Sequence, residues 1–193
     1  ACQSDFLSAF RYLVQNVSLL AVILIAAILN LALVGLTIGA PVIVAKHLGM
    51  QSSFVGIIEV AMGLGGLVGS GLVGIWPHRF SFKGICRYIA MICFGVVPII
   101  VMLLSGPDEL SFAALAAGSA WVMAWASITS VEIVSFVQRS APKEFCGKVL
   151  ALVYMTLSCA TPIGQLVYGL AYDRWAPAIV FAGMLAVLTL TTA

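Results

Sequence analysis

Two carboxylates, Glu59 and Glu132, are set in stretches otherwise nearly free of charge. A charged side chain at the centre of a bilayer costs about 2.5–3.5 kcal/mol on insertion scales, so one that is kept there binds a proton, meets a cation or hydrogen-bonds a neighbouring helix. Glu59 falls about five residues inside its apolar stretch, roughly 8 Å below the boundary; it is a candidate proton-coupling group, with a helix–helix hydrogen bond as the other role open to it. Glu132 lies near the end of its stretch, where Arg79 or Arg139 is expected to reach it. That pairing would be an inner-gate salt bridge, with proton coupling as the alternative.

Polar and aromatic residues also recur at helical spacing. Trp121, Trp125, Thr129 and Glu132 follow one another at i, i+4, i+8 and i+11, which places them on one helix face. Tyr154, Ser158, Thr161 and Gln165 form a second stripe, and Asn30 with Thr37 a thinner third. Ring faces with scattered hydroxyls and amides suit contact with an amphipathic or cationic organic molecule. The same residues also serve to hold helices together.

The elements that must carry these groups are six apolar segments, at residues 17–44, 54–76, 85–105, 111–137, 149–172 and 178–193. Hydrophobic residues make up 63% of the chain and charged residues 8%, and the mean hydropathy is +1.17; a water-soluble globule carries about 25% charged residues. Backbone groups in hydrocarbon must find partners within a helix or a closed barrel, and runs such as 19–29 lack the alternation of a barrel strand. The expected class is therefore all-α, a six-helix transmembrane bundle. Five segments reach the ~20 residues a spanning helix needs, and the sixth is short. Residues 1–16 read as an amphipathic lead-in along one membrane face. The connections are short, which predicts successive helices packed as antiparallel neighbours.

Charge supplies a direction. Arg11, Arg79, Lys83, Arg87, Arg139, Lys143 and Lys148 fall on one set of connections, against Lys46 and Arg174 on the other. The positive-inside rule then puts the beginning of the chain and both basic loops in the cytoplasm, in a multi-pass protein of the cell membrane. Cys2, Cys86, Cys93, Cys146 and Cys159 show no framework spacing and read as free thiols. His47 and His78 are too far apart to suggest a metal pair, no cofactor motif is present, and the dispersed lysines and arginines give no nucleic-acid patch.

The second segment is rich in small residues, with Gly65 and Gly69 at one four-residue spacing and Gly66, Ser70 and Gly74 at another. Such a face lets another backbone approach closely. A basic turn follows directly, from Trp76 through Arg79 to Lys83. Later, Pro142, Gly147 and Lys148 lead into a segment containing Pro162, Ile163, Gly164, Gly169 and Asp173. In order, spacing and sidedness these features resemble the second six-helix half of the major facilitator superfamily, its drug and metabolite exporter branches most of all. The turn lacks the acidic residue common there, and Phe145-Cys146 stand where Glu-Arg is frequent.

The resemblance implies a secondary transporter that exports small amphipathic or drug-like compounds by alternating access, coupled to protons, as an antiporter. It implies partners in the lipid bilayer, the small-molecule substrate and an amino-terminal six-helix half that is missing here. From the residues themselves, Gly66, Gly69, Ser70 and Gly74 read as packing positions and Pro162 with Gly164 as a hinge. Both ends of the chain read as cuts. No enzyme motif is present. The alternative is a six-span scaffold or channel-like subunit that self-associates through its glycine-rich second helix.

Overall fold

A computed structural model describes residues 16–105 and 109–191. They form six helices and no strand: α1 (Val17–Val42, continued by a π-helical turn over Ile43–His47), α2 (Ser52–Ile75), α3 (Ile85–Ser105, entered through a 3-10 turn at Phe82–Gly84), α4 (Glu109–Ser140), α5 (Lys143–Arg174) and α6 (Pro177–Leu190). The expected all-α bundle is present, and five of its helices are long and apolar enough to cross a membrane. At 14 residues α6 is the short one, about 21 Å against a hydrocarbon core of ~30 Å. The expected lead-in lies, apart from Asn16, outside the described residues.

Antiparallel packing of successive helices holds for α3 with α4, but the other extensive contacts join helices further apart in the chain: α2 with α4, α1 with α5, α3 with α6 and α1 with α6. The glycines explain the departure. A Cβ at Gly65 would run into the carbonyl of Ala120, and one at Gly69 into that of Ala124. The two contacts advance in the same direction along both helices, so α2 and α4 lie parallel, backbone against backbone. Ile58, Met62, Gly65, Gly69 and Val73 are the buried line of α2. Because lipid is as apolar as leucine, close approach of this kind, rather than escape from water, drives helices together.

α1 and α5 form a second parallel pair. Added Cβ atoms at Gly35 and Gly39 would strike the rings of Tyr168 and Tyr172 respectively, and Gly164 sits against Leu31 and Val34. The Tyr172 hydroxyl donates to the Gly35 carbonyl over 2.9 Å. α3 joins α4 antiparallel through Gly95 and Gly118, each too close to the other's helix to bear a side chain.

These contacts obey a symmetry. Exchanging α1 with α4, α2 with α5 and α3 with α6 turns the α2–α4 pair into the α5–α1 pair and the α3–α4 pair into the α6–α1 pair, while α3–α6 and α1–α4 map onto themselves. Since α1 and α4 run in opposite directions, the two three-helix units are related as an inverted repeat. A further consequence is that the α2–α3 turn and the α4–α5 turn emerge at the same end of the bundle. Phe82 in the first stacks on Phe136 near the second, with ring centroids 4.0 Å apart.

Candidate functional site

The inner faces of α1, α3, α4 and α5 leave a cavity of about 150 Å³ between them. Its walls are mostly aliphatic: Ala26, Leu29 and Leu33 from α1, Ile92 from α3, Ala126, Ile133 and Val134 from α4, Val153 and Leu157 from α5. Three polar side chains interrupt them, Asn30, Thr129 and Ser130. Among the described residues, no ionisable one lines it.

Each polar group is fixed by its own helix or a neighbour. The Asn30 amide crosses from α1 to α5, Nδ2 donating to the Leu157 carbonyl over 3.0 Å and approaching the Thr161 hydroxyl at 3.4 Å. Thr161 in turn donates to the same carbonyl. Thr129 donates back to the Trp125 carbonyl over 2.7 Å, the usual intrahelical bond of a threonine. Ser130 is exposed and marks where the cavity meets the surface.

Of the residues expected to contact a cargo, Asn30 and Thr129 reach the cavity wall and Thr161 stands behind it. The tryptophans do not. Trp121 donates its Nε1–H to the Met91 carbonyl and packs edge-on to Phe94; Trp125 stacks on Tyr88, ring centroids 5.9 Å apart. Both face α3, because the four-residue steps drift around a helix of 3.6 residues per turn and only Thr129 turns far enough toward α1 and α5. Tyr154, Ser158 and Gln165 are exposed on the outer side of α5, whose cavity face is instead Val153 and Leu157.

Neither carboxylate lines the cavity. Glu59 is exposed, roughly a quarter turn from the line of α2 that meets α4, and shares its outer face with Gly56 and Gly63, around which there is open space. Glu132 is 3% exposed, and its Oε2 has no hydrogen-bond partner. It meets neither Arg79 nor Arg139; Lys46 pairs with Asp173 at 3.0 Å instead. Arg79 is exposed in its turn, and the Arg139 guanidinium bonds the Ser135 carbonyl one turn back. The Phe82–Phe136 stack and the Tyr88 hydroxyl, which bonds both backbone groups of Ser81, hold the turn in this position.

A buried oxygen without a partner forfeits the hydration it would have in the unfolded chain. Glu132→Leu is therefore expected to stabilise the bundle by about 1–3 kcal/mol, read as a higher midpoint in thermal or detergent-induced unfolding; a lower midpoint would mean that the carboxylate is held by a partner.

The small-residue positions divide in the same way. Gly69 packs on Ala124 and Gly66 lies against the Ser127 hydroxyl, whereas Gly74 meets nothing and Ser70 is exposed, its hydroxyl bonded to its own helix. The packing ladder is Gly65 with Gly69, since α4 follows their line and not that of Ser70 and Gly74. Pro162 lies within the unbroken 32-residue α5, and Gly164 beside it is in close contact with Leu31 and Val34 of α1.

The sequence reading does not single out Tyr168, Tyr172 or the Lys46–Asp173 pair, which tie α1 to α5. A signal existed, since Gly35 and Gly39 share the four-residue spacing of Tyr168 and Tyr172. Among the described residues no group of histidine, cysteine or acidic side chains is arranged to hold a metal. No family model, curated protein or solved structure matches the chain.

Proposed function

We propose that this bundle is one half of a secondary active transporter that moves small amphipathic compounds by alternating access, coupled to protons. The observation that carries the reading is the inverted pair of three-helix units enclosing a cavity whose polar groups come from their first helices, α1 and α4. Transporters built this way bind substrate near the midplane, between repeats, and rock one unit against another.

The outer faces of α2 and α5 add support. These helices occupy equivalent places in the two units and are the least buried of the spans, yet they carry Glu59 on one and Tyr154, Ser158 and Gln165 on the other. Polar groups of this kind are expensive in lipid and face protein or water. A second six-helix half seated on these faces would cover them and would put Glu59 at the interface between halves, where a proton could be gained on one side and released on the other. Export follows from the family resemblance. Self-association through the glycine-rich α2 would have to use the exposed face of Ser70 and Gly74, because α4 occupies the line of Gly65 and Gly69.

The test is flux. The natural full-length protein in proteoliposomes should move an amphipathic substrate faster with a pH gradient than without one, and Glu59→Gln should abolish the difference. Transport that ignores the gradient removes the coupling, and no transport of any organic probe removes the reading.

A further inference from the structure

The cavity among α1, α3, α4 and α5 is too small for the drug-sized cargo that the resemblance implies. Pockets for such ligands measure roughly 300–1,000 Å³, while this one measures about 150 Å³. An apolar protein cavity of about that volume holds a molecule the size of benzene.

The hydrogen-bonding state of the wall restricts the occupant further. Asn30 has spent its amide hydrogens on Leu157 and Thr161, and its Oδ1 has no partner among the described hydrogen bonds. Thr129 has spent its single hydrogen on Trp125 and can offer only lone pairs. Two of the three polar groups on the wall therefore present acceptors, and an occupant must supply the donor. With no charged residue on the wall, an ion would lose its hydration without compensation.

We propose that this cavity is a binding site for one uncharged, single-ring molecule bearing a hydroxyl or amine donor, a phenol-type compound, with its ring among Leu29, Leu33, Ala126 and Leu157 and its donor on Asn30 Oδ1. The class deepens the transporter reading by naming what the cavity selects, and it rests on that reading only for why the molecule is bound.

Binding is measured in the natural full-length protein, purified in nanodiscs, by ¹⁹F NMR of 4-fluorophenol. Saturable line broadening is expected, displaced by excess phenol but not by benzyltrimethylammonium at the same concentration. Ala126→Leu places a larger side chain in the cavity and should abolish the saturable component while the protein keeps its unfolding temperature. Thr129→Val and Asn30→Leu each remove a wall acceptor and should weaken binding, the second by roughly tenfold; Asn30→Leu also cuts the link to α5, so Thr129→Val serves as the gentler variant. Broadening that survives Ala126→Leu, equal displacement by the cation, or no saturable broadening would each overturn the proposal. Binding without flux would leave the site standing and sink the transporter reading, and flux of larger compounds without phenol binding would do the reverse.

Discussion

Replacing Gly65 and Gly69 together by alanine is expected to cost the bundle on the order of 4 kcal/mol, although alanine is the better helix former at both positions. The added methyl groups would occupy the space of the Ala120 and Ala124 carbonyls. Those atoms belong to the backbone of a hydrogen-bonded helix and cannot rotate aside as a side chain would. α2 must therefore move away along its whole contact with α4, losing dispersion contacts that no hydrophobic force restores in lipid. The control is in the same helix. Gly63→Ala and Gly74→Ala meet open space and should leave stability unchanged or raise it by about 0.5–1 kcal/mol each. Unfolding in graded denaturing detergent separates the pairs, and equal effects in both would mean that α2 does not lie on α4 in this register.

Tyr172→Ala should be nearly as damaging, at about 3–5 kcal/mol, the usual cost of truncating a buried aromatic ring. Tyr172 is 7% exposed, its ring fills the space left by Gly39, and it lies 6.3 Å from the Phe181 ring, centroid to centroid. One side chain thus joins α1, α5 and α6. Tyr172→Phe keeps the ring and loses only the bond to the Gly35 carbonyl, so about 1 kcal/mol is expected. A phenylalanine variant as unstable as the alanine one would assign the stabilisation to the hydroxyl instead of the ring.

The helices were legible because apolar length is a property of contiguous residues. Ile85–Ser105 begins and ends where its composition says, and α4 and α5 run past their apolar segments only where polar flanks continue the helix. Which helices touch was not legible in the same way, since short connections limit where a helix can go without choosing its neighbour. The choice lies in pairs of small residues, and the two overlapping ladders of α2 could not be ranked without knowing where α4 passes. Half the candidate site was recoverable for a related reason. Asn30 and Thr129 stand out as polar residues in apolar runs, but Val153, Leu157 and Ala126 shape the cavity by being unremarkable. Glu132 was visible as an anomaly, but that neither Arg79 nor Arg139 reaches it depends on how the turns are placed, which the sequence does not state.

The inverted relation between the two three-helix units also bears on how such a bundle enters a bilayer. An object that looks much the same when turned upside down has no architectural reason to prefer one insertion over its reverse. The decision then falls to end charges: Arg79, Lys83, Arg87, Arg139, Lys143 and Lys148 at one pole, with Lys46 and Arg174 at the other. Neutralising the first group while adding lysines beside Lys46 should yield a protein with its helix packing intact and its two poles exchanged across the membrane.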